Sequence, residues 1–269
     1  MGLARGEYVW VAESDDYADS RFLERLVGVL NSEPRAAFAY CRSWRVSADD
    51  RLDGFADSYL PDPQRWTEDH SADGHDACRK YFMPNNMVPN ASSVLFRKAI
   101  YERVGRVDDA LRISGDWKLW AGMALTGTVA YLSEPLNYYR QHDNCVRGRD
   151  PLRVAEAQES LQVIRWIQDQ ITMTDSMRAK SCEILTGLWL PPVLNGHVPL
   201  ERRWAILRSA MAIDPRALPR LVRPAFRALI DVIRDTVRVW LWHPVLNATR
   251  PVRHALGLRQ QSVRPTLKK

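Results

Sequence analysis

Apolar positions along residues 1–150 form two patterns, and each pattern predicts one type of element. Continuous apolar runs predict buried strands at 8–12, 36–41, 91–96 and 128–132. Apolar residues at helical spacing predict helices over 20–30, 97–104 and 116–125. This alternation of strand and helix is typical of an α/β layer around a mostly parallel sheet.

Two further stretches break this pattern. Residues 47–90 lack any period and are rich in Asp, Pro, Gly, Asn and His, which predicts long surface loops. Beyond residue 150 only helical patterns remain, and they predict helices over 152–171, 176–190, 201–213 and 225–242. We therefore predict an α/β domain over 1–150 and an α-helical, basic extension over 151–269.

Composition agrees with a globular protein. The 269 residues are 46% hydrophobic, enough for a sizeable core without disulfides. The four cysteines form no CxxC pair and follow no signal-peptide pattern, so we expect reduced thiols in a cytoplasmic protein. No apolar stretch is long enough to predict a span across a bilayer.

Three carboxylates follow the first predicted strand: Glu13, Asp15 and Asp16. Ligands of open α/β sheets bind at the carboxyl ends of strands. Clustered carboxylates repel one another unless a cation neutralises them, and their hard oxygen atoms select Mg²⁺ or Mn²⁺. The alternative is that these acids only cap the helix that begins near Ser20.

Three segments occur in a particular order: GLARGEYVWVAESDD at 2–16, NASSVLFRKAIYERVGRVDDAL at 90–111 and SGDWKLWAGMALTGTVAYLSEPLNYYRQH at 114–142. In order and spacing they resemble glycosyltransferase family 2, the inverting sugar transferases of the GT-A fold. The resemblance implies a partial GT-A domain, Rossmann-like and built on a mostly parallel sheet. Residues 151–269 resemble only the variable tails of that family.

The resemblance also implies a donor side. Glu13, Asp15 and Asp16 match the acidic cluster that binds Mn²⁺ or Mg²⁺ under the diphosphate of a nucleotide-sugar donor. Glu13 stands where the family more often has Asp. His142 is the expected further metal ligand, and Arg140 the expected ligand of the donor diphosphate, because both match the motif that ends the catalytic domain.

On the acceptor side, Asp116 matches the general base of the family. The alternative for Asp116 is a plain helix N-cap. Trp117 and Trp120 are candidates for the acceptor pocket because sugars present apolar ring faces that pack on aromatic rings, but their i, i+3 spacing equally suits a core. Asn90 precedes a strand on the side where the family commonly binds the acceptor, although loop asparagines are usually turn formers.

We therefore expect a metal-dependent inverting glycosyltransferase that makes a cell-surface polysaccharide or glycolipid. Its partners would be a nucleotide-sugar donor and a carbohydrate or lipid-linked acceptor. The family's nucleotide-binding half normally precedes the first matching segment, so the resemblance implies that this half is missing before Met1. A late start codon, a decayed gene or a partner chain would each explain this. The alternative function is a non-catalytic truncated remnant or an interaction protein.

The whole chain has a net charge of +6, and arginines dominate its last part. In the predicted helix 225–242, Arg227, Arg234 and Arg238 share one side and apolar residues another. Such a helix can lie peripherally at the inner face of the cell membrane, or it can pack on the catalytic domain. No nucleic-acid-binding motif accompanies the arginines, so we expect no nucleic-acid partner.

Overall fold

A computed structural model describes residues 2–105, 107–141, 150–177 and 198–213. The strands within these ranges are β1 Tyr8–Trp10, β2 Tyr17–Ala18, β3 Ala36–Val46, β4 Leu52–Phe55, β5 His70–Asp73, β6 Val94–Arg97 and β7 Thr128–Arg140. The helices are α1 Phe22–Ser32, α2 Gly74–Ala77, α3 Lys98–Val104, α4 Gly115–Ala124, α5 Asp150–Gln170 and α6 Leu200–Ile213. A 3-10 turn covers Pro63–Thr67 and a π-helical turn covers Cys78–Phe82.

The strands form one sheet in the order β1-β6-β3-β7-β2, with β4 added beside β3 and β5 beside β7. Over the described residues, β3 and β7 make the one parallel pair, and the other five pairs are antiparallel. The α/β class is confirmed, but the sheet is mixed rather than mostly parallel. β4 follows β3 through a short turn and pairs with it antiparallel, whereas β1, β2, β5 and β6 pair antiparallel with strands that lie far from them in sequence.

Helices cover both faces of the sheet centre. On one face, Phe22, Leu26 and Leu30 of α1 pack in a buried cluster with strand residues such as Ala39 and Leu132. On the other face, Trp120 of α4 meets the rings of Phe38 and Phe96 at centroid distances of 5.7 and 5.8 Å. Apolar residues on both sides of β3 explain its continuous apolar sequence.

The 47–90 stretch is more ordered than the sequence predicts. Besides β4 and β5 it contains Trp66, whose side chain is 1% exposed and is among the most buried of the described residues. The Trp66 carbonyl accepts a hydrogen bond from the Tyr131 hydroxyl at 3.0 Å, and the Trp66 indole donates to the Pro61 carbonyl at 2.7 Å. The expectation of long surface loops is therefore wrong for much of this stretch.

The chain divides into two compact units, Met1–Ala217 and Leu218–Lys269. Helices α5 and α6 lie in the first unit, as does the sheet, and they agree with the predicted helices 152–171 and 201–213. The predicted helix 225–242 lies outside the described residues, and the domain division at residue 150 stays a prediction. Among the described helices, none combines the length and the hydropathy needed to cross a membrane.

Candidate functional site

Asp16 is the centre of a hydrogen-bond network at the carboxyl end of β1. Its Oδ2 accepts from the Asn90 amide and from the Ser92 hydroxyl, both at 2.7 Å. Its Oδ1 accepts from the backbone N–H of Arg140 at 2.9 Å. The carboxylate thus joins the turn after β1, the segment before β6 and the end of β7, which are far apart in sequence.

Glu13 lies beside Asp16 and shares a partner with it. The Asn90 amide also donates to Glu13 Oε2 at 3.1 Å, and the Glu13 backbone N–H donates to the Ser92 hydroxyl at 3.0 Å. Strand β1 ends at Trp10, so the acids lie on a turn rather than on the strand itself. The bond from the Trp10 indole to the Ser92 carbonyl, 2.7 Å long, fixes where this turn begins.

Asn90 is in turn held from inside the sheet. Its Oδ1 accepts from the Asn137 amide at 2.9 Å, and that amide also donates to the Ser43 hydroxyl at 3.0 Å. Asn137 is 0% exposed, and within the described part of the chain its own Oδ1 has no hydrogen-bond partner. Sequence reasoning missed Asn137 and Ser92. A signal existed for Asn137, because asparagine is depleted in strands and this one interrupts the apolar part of β7.

Arg140 lies next to the acids, as the sequence led us to expect. Its Nε donates to the Asp15 carbonyl at 2.9 Å, and its Nη2 pairs with Asp50 Oδ1 at 2.7 Å. The hydrogen bond to Asp50 is the main cause that raises the pKa of the Arg140 guanidinium above its ordinary value. A diphosphate bound by Arg140 would have to replace the Asp50 carboxylate.

Asp116 lies in the first turn of α4. Its Oδ1 accepts from the Trp117 backbone N–H at 2.7 Å, and its Oδ2 accepts a longer bond of 3.4 Å from the Asn86 amide. Asn86 is buried, and its Oδ1 accepts from the Val88 backbone N–H at 3.1 Å. Asp116 is therefore a half-buried carboxylate at a helix N-terminus, where the helix dipole stabilises negative charge.

A second carboxylate orders the start of α4 from outside that helix. Glu159 of α5 accepts three backbone hydrogen bonds, from Arg112 at 3.0 Å, Ile113 at 2.7 Å and Ser114 at 2.8 Å. Glu159 is 8% exposed, and Ser114 makes no side-chain cap of its own. The predicted helical extension thus holds the loop that leads into α4 and Asp116.

Trp117 and Trp120 are both core residues in the structure. The Trp117 side chain is 3% exposed and its indole donates to the Phe82 carbonyl at 2.8 Å. Trp120 is 1% exposed and packs between rings of β3 and β6. Buried indoles leave no ring face for a sugar, so the core alternative fits both residues better than the acceptor pocket.

The atoms that the acidic cluster offers to a metal are hard carboxylate oxygens, which fit Mg²⁺ or Mn²⁺. Asp16 Oδ2 accepts two hydrogen bonds, from Asn90 and Ser92, and Oδ1 accepts one, from the Arg140 backbone N–H, so the remaining lone pair for an ion is on Oδ1. Over the described ranges, no group of three or more His, Cys, Asp or Glu side chains is arranged to hold a metal, and His142 lies outside those ranges. The cluster therefore fits an ion that takes one or two carboxylates and completes its shell with water and phosphate oxygens.

No family model matches the chain. Similar proteins are an uncharacterized protein of Mycobacterium tuberculosis and an uncharacterized protein of Mycobacterium bovis, each 30% identical over 143 residues. The match covers 53% of this chain and 37% of each relative, so it spans little more than a third of the relatives' length. Their names state no activity, and the resemblance to glycosyltransferase family 2 stays a prediction.

Proposed function

We propose that this chain carries the metal and acceptor side of a metal-dependent inverting glycosyltransferase of family 2. It would move a sugar from a nucleotide-sugar donor to a hydroxyl acceptor in the synthesis of a cell-surface polysaccharide or glycolipid. The observation that carries the proposal is that one short segment contacts both candidate sites. Asn86 donates to Asp116, and Asn90, four residues later, donates to Asp16 and Glu13.

This segment limits how far apart the two sites can be. Four residues of extended chain span at most about 14 Å between Cα atoms. Asp16 and Asp116 are thus bonded by two asparagines whose Cα atoms lie within about 14 Å of each other. Met87 and Val88, between the two asparagines, are buried at 1% and 0% exposure, so the segment is anchored in the core.

Asp116 would act as the general base. It would accept the proton of the acceptor hydroxyl as that oxygen attacks the anomeric carbon, while the bond from this carbon to the diphosphate oxygen breaks from the opposite side. The Trp117 backbone N–H would orient the carboxylate, and Glu159 would hold the loop before it.

Asp15 and Asp16 would hold the ion, with Glu13 beside Asp16. When bound, Mg²⁺ or Mn²⁺ would supply positive charge that stabilises the leaving nucleoside diphosphate. Arg140 would add a second cationic group once a phosphate displaces Asp50 from its guanidinium.

The first test is hydrolysis and transfer by the full chain with Mn²⁺ and a panel of UDP-, GDP- and dTDP-sugars. In a chain that turns over, Asp116→Asn should abolish transfer and leave Mn²⁺ binding unchanged. The matched control is Asp109→Asn, because Asp109 is an exposed carboxylate before the same helix. Transfer retained by Asp116→Asn would remove Asp116 from the mechanism. Binding of Mn²⁺ and nucleotide without any turnover would favour the non-catalytic alternative.

Metal binding is better tested at Asp15 than at Asp16. Asp15 is exposed, whereas Asp16 links three segments of the fold, so loss of Asp16 would also disturb the structure. Asp15→Asn should weaken Mn²⁺ binding, measured by electron paramagnetic resonance of the free ion, with little change in thermal stability. Unchanged Mn²⁺ affinity in Asp15→Asn would remove Asp15 from the metal site.

We further infer a cytoplasmic location, with peripheral membrane contact through residues 225–242. The basic and apolar sides of that predicted helix support the contact. Liposome flotation of the full chain should succeed with anionic vesicles and fail with neutral ones. Equal flotation with both kinds of vesicle, or none with either, would contradict this assignment.

A further inference from the structure

Arg65, in the 3-10 turn Pro63–Thr67, is a half-buried arginine that pairs with no acid of the described residues. Its Nε atom is buried and has no hydrogen-bond acceptor among those residues. By contrast, Arg42, Arg97 and Arg140 each pair with a carboxylate. Charges taken out of water are normally paired, so the guanidinium of Arg65 is a candidate for binding an anion.

Aromatic rings surround the Arg65 guanidinium. Its central carbon lies 4.9 Å from the ring centroid of Tyr81 and 5.8 Å from that of Trp66. The Trp66 ring meets Tyr131 at 5.4 Å, and the Tyr131 ring meets Tyr40 at 5.0 Å. Because these rings shield the guanidinium from water, an ion pair formed there is screened less than one on the open surface.

The Tyr40 hydroxyl is a second donor without an acceptor in the described part of the chain. Tyr40 is 1% exposed, and its hydroxyl oxygen is buried and makes no hydrogen bond there. Burial raises the pKa of this hydroxyl well above its ordinary value, and the positive charge of Arg65 acts in the opposite direction. An electrostatic effect of this kind requires the two groups to be close, so both donors can serve one ligand.

The two donors and the single positive charge indicate the chemical class of the ligand. A guanidinium N–H and a hydroxyl can both donate to a carboxylate, and Arg binds carboxylates through two parallel N–H groups. A phosphate dianion fits less well, because the Asp62 carboxylate accepts from the Tyr81 hydroxyl at 3.2 Å and adds negative charge beside Arg65. A water molecule could accept from the Tyr40 hydroxyl but would leave the charge of Arg65 unpaired.

We propose that Arg65 and Tyr40 bind a small carboxylate ligand. The Nε–H and a terminal N–H of Arg65 would donate to its oxygens, and the Tyr40 hydroxyl would donate to one of them from inside the fold. Arg65 is half-buried, so a small ligand can reach it from solvent. This site uses none of the residues assigned to metal binding or to sugar transfer, so it goes beyond the proposed function and is tested separately.

The test uses acetate as the probe and the full chain without donor or metal. Saturation-transfer NMR should detect the acetate methyl group on the protein, and 100 mM acetate should raise the Tm by at least about 2 °C relative to 100 mM chloride. Arg65→Met keeps an apolar stem against Tyr81 but removes the charge, so both effects should be lost. Arg103→Met, which changes an exposed arginine of α3, should keep both effects.

Tyr40→Phe distinguishes a bound carboxylate from a buried water. In chloride, Tyr40→Phe should be at least as stable as the unchanged chain, because it removes a buried hydroxyl that has no acceptor. In acetate it should gain less than half of the rise in Tm that the unchanged chain shows.

Four results would overturn the inference. Acetate gives no NMR signal on the unchanged chain, Arg65→Met binds acetate as the unchanged chain does, Tyr40→Phe lowers the Tm equally in both salts, or equimolar phosphate displaces the acetate. None of these results bears on the test of Asp116, which measures sugar transfer.

Discussion

Glu159 offers the sharpest test of how the helical extension supports the candidate site. Its carboxylate is the acceptor for three consecutive backbone N–H groups at 112–114, two on Oε2 and one on Oε1. The loop leads into α4, where Asp116 is the second helical residue. Replacing Glu159 should therefore destabilise the fold and misplace Asp116 together.

The expected loss in the free energy of unfolding depends on how many backbone N–H donors lose their acceptor. A hydrogen bond to a charged group contributes about 1.5–3 kcal/mol. Arg112 is exposed, so its N–H can bond water after the change, whereas Ser114 is buried and Ile113 partly so. With two donors left unsatisfied, Glu159→Ala should cost about 3–5 kcal/mol. In Glu159→Gln the amide oxygen can keep the two bonds made by Oε2, so the cost should be about 1–2 kcal/mol.

Urea unfolding followed by tryptophan fluorescence measures both free energies. The matched control is Glu156→Gln, which removes the same charge one turn earlier on α5 at a partly exposed position. We expect its free energy of unfolding to change by less than about 0.5 kcal/mol. A cost below about 1 kcal/mol for Glu159→Ala, or equal costs for Glu159→Gln and Glu156→Gln, would refute the reasoning.

Three further predictions concern the folded core. Burial is the main cause that lowers the pKa of His70 in the folded chain, so the unfolded chain binds more protons below about pH 6.5. The free energy of unfolding should therefore fall as the pH is lowered below that point, and in urea titrations His70→Gln should flatten this dependence. Burial raises the pKa of Cys41 and Cys78 to about 12 each, so mass spectrometry should find both unlabelled by a thiol reagent in the folded chain and labelled in urea. A Cβ at Gly74 would lie 1.7 Å from the carbonyl oxygen of the last residue of α4, so Gly74→Ala should lower the free energy of unfolding by at least about 2 kcal/mol.

Elements with a strong apolar period were predictable from the sequence. Strands at 36–41 and 128–132 and helices at 20–30, 97–104 and 116–125 all appear, with ends shifted by a few residues. Both strands are longer than predicted, since β3 continues to Val46 and β7 to Arg140. Their extensions contain polar residues that partners in the fold satisfy, such as Arg42 by Asp57.

The 47–90 stretch shows why local pattern was insufficient. β5 has the sequence His-Ser-Ala-Asp, which has little strand preference, and it forms because β7 supplies a partner along its whole length. Trp66 is buried by Tyr131 and Tyr81, whose rings lie 5.4 and 5.6 Å away. Tyr131 lies 65 residues further along the chain, so no local window of the sequence contains its contact with Trp66.

The candidate site was likewise predictable only in part from the sequence. A run of acids after a strand was visible in the sequence, as was an acid at a helix start, because each depends on neighbours in the chain. The partners that position them were not visible, because Asn90 and Arg140 lie 74 and 124 residues from Asp16. Asparagine is ambiguous in sequence since it serves turns as readily as networks.

These contacts change what the acidic cluster means. The sequence gives Asp15 and Asp16 the same role as metal ligands, with Glu13 departing from the family's Asp, but the structure gives Asp16 three donors from other segments and leaves Asp15 exposed. Because Asp16 holds β7 and the segment before β6 against the turn after β1, selection for folding alone would favour it even without a metal. Retention of an acid at Asp16 in a relative would therefore say little about catalysis. An acid at Asp15 would say more, because Asp15 is exposed and Arg140 Nε bonds its backbone carbonyl, a contact that any residue at this position can make.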